Sequence, residues 1–151
     1  MAASISLRPV SSADRAYVER VYFETQRWII EALFGWRGDD IEQAKFADFY
    51  DKVNSTIIVV DGKDAGWMTV IRRPDHIELA SIYLQPDRQR HGIGTALIRN
   101  LMREASEAGR EIRLSTAIIN PARSLYARLG FVAVREEQHK VHMTWSDDQV
   151  R

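Results

Sequence analysis

The stretch of this chain best suited to chemistry is a pair of glycines with a basic lead-in, Gln89-Arg90-His91-Gly92-Ile93-Gly94-Thr95. An apolar, β-prone run from Ile77 to Leu84 precedes it and stops at Pro86, which has no amide hydrogen to give a sheet ladder. Behind it, Leu97 and Leu101, Ile98 and Met102, and then Ala105 fall at helical spacing. The pattern predicts strand, basic glycine loop, helix. The first amides of a helix lack internal partners and carry the positive end of its dipole, so they form an anion seat. Glycine lets a bulky ligand approach the backbone, and Arg90 adds charge beside it. A Gly-x-Gly is also an ordinary turn, and from the residues alone both readings stand. No third glycine completes a dinucleotide fingerprint, and no Gly-Lys-Ser/Thr completes a P-loop.

Other chemistries are narrowed by composition. The chain has no cysteine, which excludes a thiolate nucleophile, a disulfide framework and a cysteine zinc site. His76, His91, His139 and His142 show no metal-ligand spacing, so no metal is expected. His139 and His142, three apart on a predicted strand, should point to opposite faces as structural or surface residues. Lys plus Arg and Asp plus Glu both number 21, so no net field draws nucleic acid or an anionic membrane, and neither is expected as a partner. Nothing resembles a signal peptide, and no apolar run is long enough to span a bilayer, so the expectation is a cytoplasmic protein.

The elements that must position the loop read as an α/β arrangement. A length of 151 residues suits one domain, 1–151, with a polar tail from Ser146 that should fray. Ser4 to Arg8 alternates as a first strand, with Ile5 and Leu7 on one face. Ser11-Ser12-Ala13-Asp14 has capping-box spacing, and a long helix should follow to about Phe34, with Gly35 ending it. Its apolar face is Val18, Val21, Tyr22, Thr25, Ile29, Ala32 and Leu33. Asp39 or Asp40 should cap a second helix carrying Phe46, Phe49, Tyr50 and Val53. Thr56–Val60 and Gly66–Ile71 are strands joined through Asp61-Gly62, a strong hairpin signal, and with the strand at Ile77 they imply an antiparallel meander. Gly109 should stop the glycine-loop helix. Glu111 to Ile119 alternates, and its helical connection predicts a parallel partner for the strand at Ile77. Asn120-Pro121 should cap a short helix ending near Leu129-Gly130, and Phe131–Val134 with Lys140–Trp145 form a closing pair.

The loop Gln89-Arg90-His91-Gly92-Ile93-Gly94 resembles the Gln/Arg-x-x-Gly-x-Gly/Ala signature of the GCN5-related N-acetyltransferases, the GNAT superfamily. Asn120-Pro121-Ala122-Arg123-Ser124-Leu125-Tyr126-Ala127-Arg128-Leu129-Gly130-Phe131 is similar to that family's Asn…Leu-Tyr-x-x-x-Gly-Phe segment, in family order and spacing. The resemblance implies a single domain with a mixed β-sheet, an antiparallel meander plus a splayed parallel strand pair, flanked by helices. It implies acetyl-CoA or another acyl-CoA as donor. The pyrophosphate would rest on the amides around Arg90 to Thr95, with Gln89 at the head of the loop, and the pantetheine arm would run along Ile82, Tyr83 and Leu84 like an added strand. A free amide near Ile82 would hold the developing oxyanion.

Two side-chain tasks follow from acetyl transfer to an amine. An alkylammonium, with a pKa near ~10, must lose a proton before attack. Glu78 is the candidate base, on the face of Ile82 by alternation, where it resembles the glutamate of the histone-acetylating members; burial against Trp or Phe would favour that role. Other members carry a glutamate in the second parallel strand, where this chain has Ser115. Tyr126 resembles the family tyrosine that assists thiolate departure, and Asn120 an asparagine that contacts the cofactor. Helix packing and helix capping are the plain alternatives for these two. In this family the acceptor is chosen by the first two helices and their link. Here Glu24, Trp28, Glu31, Trp36, Asp39 and Asp40 offer an aromatic, acidic rim suited to a cationic amine of a small molecule or peptide. Each of these also fits a core or solvated position. The absence of cysteine favours direct transfer. A module that binds acyl-CoA without catalysis is the alternative, and the resemblance allows a homodimer.

Overall fold

The computed structural model describes residues 3–147. The described residues form β1 (Ile5–Pro9), α1 (Arg15–Phe34), α2 (Asp39–Phe49), β2 (Ser55–Val60), β3 (Lys63–Arg72), β4 (His76–Leu84), α3 (Ile93–Ala108), β5 (Glu111–Ala117), α4 (Ala122–Arg128), β6 (Val132–Glu136) and β7 (Lys140–Trp145). The sheet order is β1-β2-β3-β4-β5-β7-β6, and β4 and β5 pair in parallel. This is the mixed α/β sheet expected. Contacts gather the chain into two compact units, and the chain passes from one to the other inside β3 and again inside β4. The first unit runs to Thr69 and takes in Ser81–Gln89; the second holds Val70–Ala80 and the residues from Arg90 on.

In the first unit, Asp14 closes the turn that starts α1. Its Oδ2 accepts from the Ser11 amide at 2.8 Å and the Ser11 hydroxyl at 3.1 Å, while Arg8 forks onto both oxygens at 2.9 Å. The Arg8 guanidinium, with help from Ser11, holds the Asp14 carboxyl well below the usual carboxylate range. The helix ends at Gly35, as its sequence signal predicts. Val18 and Val21 of α1 close on Phe46 of α2, Ile57 of β2 and Trp67 of β3, all essentially inaccessible. Burying such side chains stabilises the unit by about 1.5–3 kcal/mol each, as an upper bound. Tyr50 stacks on Phe46 at 5.5 Å, and Tyr83 meets Trp67 at 5.0 Å.

Several boundaries differ from expectation for local reasons. Gly38, not Asp39 or Asp40, is the cap of α2, which places both aspartates in its first turn. Tyr50 leaves the helix in an extended conformation, which brings its ring onto Phe46 and Trp67. Val53 therefore lies in the following loop, 92% exposed, and not on the helix. Leu7 and Ala32 are exposed, so the apolar faces of β1 and α1 are narrower than their patterns imply.

Asp61 and Gly62, with φ of 51° and 80°, turn β2 into β3 through the left-handed conformations that a tight hairpin needs. The register then slips. Ile58 faces Gly66 but Val59 faces Asp64, so Ala65 is an extra, bulged residue. Its carbonyl accepts the Gln85 amide at 2.8 Å. Gly66 lies so close to the end of β4 that a Cβ there would sit 2.1 Å from the Tyr83 carbonyl oxygen.

In the second unit, α3 buries Ile93, Leu97, Ile98, Leu101, Met102 and Ala105, the stripe read from sequence. Gly109 stops the helix in a left-handed conformation. The Gly109 and Arg110 amides return to the Ser106 and Ala105 carbonyls, at 3.2 and 2.9 Å, in a Schellman closure. β5 buries Ile112 and Leu114 and turns Arg113 and Ser115 to the opposite face; β7 buries Val141, Met143 and Trp145. Strand β5 ends at Ala117, before the expected Ile119, because the Asn120 amide turns back to the Ala117 carbonyl at 3.0 Å. His139 lies in the turn before β7, so it and His142 do not share a strand as expected. Of the tail expected to fray, residues 148–151 lie outside the described residues. Among the described residues, no helix is long and apolar enough to cross a membrane.

Candidate active site

The glycine loop opens with a short 3-10 turn, Pro86–Arg88, after which Gln89 Nε2 donates back to the Leu84 carbonyl at 3.0 Å. Arg90 and Gly92 both adopt left-handed backbone, φ 66° and 79°, on either side of His91. Helix α3 starts at Ile93, four residues before the first member of the apolar stripe read from sequence. Its first ladder bond is the Ala96 amide to the Gly92 carbonyl at 3.0 Å, and no side chain caps it. The amides of Ile93, Gly94 and Thr95 are thus without partners inside the helix, at the positive end of a 16-residue dipole. No acidic side chain sits in the first turn, and a Cβ placed on Gly92 would meet nothing within 4 Å. An anion is favoured there, with open space above the backbone. The donors present fit a pyrophosphate.

Further into the second unit the parallel strands part. They pair only at His76↔Glu111, Ile77↔Ile112 and Glu78↔Arg113, and the register does not extend to Leu79 and Leu114. A cavity of about 480 Å³ opens on this face, lined by Glu78, Ser115 and His142 among others. Glu78 is partly exposed, and its Oε1 accepts from Arg73 Nε at 3.2 Å and Nη2 at 3.1 Å. The cavity wall contains no Trp or Phe, so the aromatic burial expected around this carboxylate is absent, and an arginine stands beside it. Ser115 faces His142 across the β5–β7 ladder. Among the described residues, no group of three His, Asp or Glu is placed to hold a metal.

Tyr126, on α4, is buried to 7% exposure, with its ring 5.8 Å from that of Phe131. Burial pushes its phenol up to about 12, so it is a neutral donor at physiological pH. Its hydroxyl bonds to no other described residue. Asn120 is occupied: its Oδ1 accepts the Ala122 amide at 3.0 Å and its Nδ2 donates to Thr116 Oγ1 at 2.9 Å. It therefore caps α4 from one position ahead of Pro121.

The acids and aromatics of the first unit are engaged mainly by neighbouring arginines of α1. Glu24 pairs with Arg20 at 3.4 Å and Glu31 with Arg27 at 2.7 Å. Trp36 donates its indole N–H to Asp39 at 2.9 Å, and the Arg27 guanidinium lies 3.9 Å above the Trp36 ring. The face of Trp36 that would greet a cationic ligand thus already holds a cation. Trp28 is 47% exposed and Asp40 is also exposed.

Residues 53–133, more than half of the chain, match a family model described as an acetyltransferase (GNAT) domain. The chain belongs to the GNAT acetyltransferase family. Over 115 residues it is 29% identical to an uncharacterized N-acetyltransferase of Methanocaldococcus jannaschii. That match covers 75% of this chain and 49% of the other, so the chain spans about half the length of this curated relative. The PaiA N-acetyltransferase of Thermoplasma acidophilum, solved with coenzyme A, shares the GNAT fold at 19% identity and a TM-score of 0.76, covering 95% of this chain and 99% of that one. The ribosomal-protein-S18-alanine N-acetyltransferase of Escherichia coli does so at 20% identity and 0.65, covering 93% and 92%.

Within this GNAT fold the glycine loop and the Tyr126 segment are the parts that carry local sequence patterns. Three further features were not read from the sequence. The Arg73–Glu78 pair links residues whose types carry no motif. The Ala65 bulge had a signal, since an isolated glycine inside a strand run marks a bulge or a close backbone approach. The Ser115–His142 neighbourhood depends on the β5–β7 register, which no local pattern reports.

Proposed function

We propose that this chain is an acetyl-CoA-dependent N-acetyltransferase that moves the acetyl group to a primary amine of a small molecule or peptide, by direct transfer in a ternary complex. The observation that carries the reading is the left-handed Arg90–Gly92 loop, which leaves the Ile93, Gly94 and Thr95 amides open at the head of α3. In this proposal those amides, with Gln89, Arg90 and His91, hold the pyrophosphate, and the backbone of Ile82, Tyr83 and Leu84 holds the pantetheine arm. An amide near Ile82 stabilises the oxyanion, a contact typically worth ~10²–10³-fold in rate. Tyr126, neutral and buried, gives a hydrogen bond or proton to the departing sulfur. Glu78 and His142 both line the cavity and are able to receive the amine proton, with His76, held to Asp75, further along the same face. Asn120 acts by fixing the start of α4. Glu24, Trp28, Trp36 and Asp39 form the acceptor rim, with the Arg27–Trp36 and Arg20–Glu24 contacts opening as the acceptor binds. The Escherichia coli neighbour is named for an alanine of a ribosomal protein, which supports including a peptide amine in any acceptor panel.

The ion pair between Glu78 and Arg73, and the serine at 115, favour a second reading, binding of acyl-CoA without catalysis. A panel of amines with acetyl-CoA, followed by free-thiol release, separates the two. Release that depends on an amine supports the enzyme. Tight acetyl-CoA binding with no release from any amine supports the binding module.

A further inference from the structure

We propose that His142, oriented by Glu137, takes the proton from the acceptor amine; this rests on the acetyltransferase reading and assigns its proton acceptor. Register orders the cavity face in rows. Glu78, Arg113 and Thr144 form one row, the last in which β4 and β5 are paired. Ser115 and His142 form the next on the same face, two residues or roughly 6–7 Å further along. That second row is where the parallel strands have come apart. A group admitted at the parting would meet Ser115 and, one strand further on, His142.

The imidazole is held in a form suited to the task. His142 Nε2 stands 2.6 Å from Glu137 Oε2 and 3.0 Å from Arg135 Nη2. It cannot serve both. Accepting from Arg135 would set its lone pair against the carboxylate, whereas donating to Glu137 makes the shorter, charge-assisted bond. The network therefore assigns the proton to Nε2 and leaves Nδ1 as the bare nitrogen. No other described residue hydrogen-bonds Nδ1. Glu137 is held below the usual carboxylate range, chiefly by its bond to His142, so it stays ionised as counter-charge to an imidazolium. Serine at 115 leaves room beside the ring. Arg73, by contrast, occupies Glu78 Oε1 with both its contacts, which leaves that carboxylate only Oε2 for a proton and a guanidinium beside it.

The acceptor arrives as an alkylammonium. Nδ1 takes one proton, and the freed nitrogen lone pair attacks the thioester carbonyl carbon. The C–N bond forms and the C–S bond breaks. The second amine proton ends on sulfur, and the imidazolium returns the first to water. The charged and titratable groups around the ring are His76 and Glu78 from β4, Arg113 from β5, Arg135 from β6 and Glu137 from the following turn, with Lys140 beside Glu137.

The test compares full-length wild type with His142→Gln, His142→Ala and Glu137→Gln, measuring kcat from neutral to alkaline pH and acetyl-CoA affinity by calorimetry. His142→Gln should lower kcat by ~10²–10³-fold with acetyl-CoA affinity unchanged, and the deficit should shrink as pH supplies neutral amine. Added imidazole should restore part of the His142→Ala activity. Glu137 is exposed, so Glu137→Gln keeps the fold if the histidine variants do not. It should lower kcat less, and move the acidic limb of kcat/KM to lower pH because the imidazolium loses its carboxylate. Near wild-type kcat in His142→Gln overturns the proposal, as does a loss constant with pH and unmoved by imidazole, or an unshifted limb in Glu137→Gln. Wild type that binds no acetyl-CoA removes the underlying reading as well. Wild type that turns over with a pH profile blind to both residues removes this inference alone.

Discussion

An alanine at position 66 has nowhere to put its methyl group. The added carbon would lie 2.1 Å from the Tyr83 carbonyl oxygen, 2.9 Å from Leu84 Cα and 3.0 Å from the Tyr83 carbonyl carbon. All three obstacles are backbone, so no rotamer change relieves them. The first contact is about 1.3 Å short of ordinary van der Waals distance, and the end of β4 has to move by a comparable amount. Overpacking of this kind costs about 1–3 kcal/mol. A glycine-to-alanine change also stabilises by about 0.4–1 kcal/mol through the unfolded chain. The net expectation is a loss of roughly 1–2 kcal/mol, or a fall in Tm of about 2–8 °C for a chain of this size. Because the displaced residues are those proposed to bind the pantetheine arm, acetyl-CoA affinity should fall too. Denaturant unfolding with calorimetric titration measures both. Gly66→Ala protein as stable as wild type, or more stable, refutes the close approach and with it the argument that β3 fixes the end of β4.

Gly92→Val should abolish acetyl-CoA binding, since it fills the space above the loop and strains a left-handed residue by about 1–2 kcal/mol, whereas Arg90→Ala should weaken binding less; equal affinities by calorimetry would make the loop a mere turn. Tyr126→Phe should lower kcat by ~10²-fold or less with acetyl-CoA affinity retained, because a thiol of pKa near ~8.5 leaves fairly well unaided. The same buried phenol contributes stability that is complete below its unfolded value near ~10 and lost as pH rises toward about 12. Tyr126→Phe should therefore lessen alkaline destabilisation, measured by Tm against pH, but not abolish it, since burial also raises Tyr17, Tyr22 and Tyr50. Asp14→Ala removes the capping-box contact to Ser11 at the turn that leads into α1, together with the Arg8 fork, and should cost about 1–2 kcal/mol at neutral pH. Since the Asp14 carboxyl titrates lower folded than unfolded, this contribution is present above the unfolded value near ~3.9 and fades on acidification, so the two proteins should converge in acid unfolding.

Signals carried by one backbone segment were legible in the sequence. Ser11 with Asp14, Gly35, Asp61-Gly62 and Gly109 each place a conformation where only a few residue types are comfortable, and the structure follows them. The glycine loop and the Tyr126 segment belong to the same class. Features set by register were not legible. His142 reads as a surface histidine until β7 is laid against β5, which brings it beside Ser115 and hands its Nε2 to Glu137. The acidic, aromatic stretch between Glu24 and Asp39 looks like an open rim in sequence. In three dimensions Arg20 and Arg27, one helical turn from Glu24 and Glu31, occupy much of it. Helical neighbours of opposite charge had that outcome written in their spacing.

The central claim is that the head of α3 is an acyl-CoA seat. Amide chemical shifts recorded in a titration of the isotopically labelled protein with acetyl-CoA test it most directly. The account predicts that the Ile93, Gly94 and Thr95 amides move most, with a saturation curve shared by free CoA and absent with ATP. Saturable acetyl-CoA binding that leaves those three amides in place, or an equal response to ATP, would contradict it.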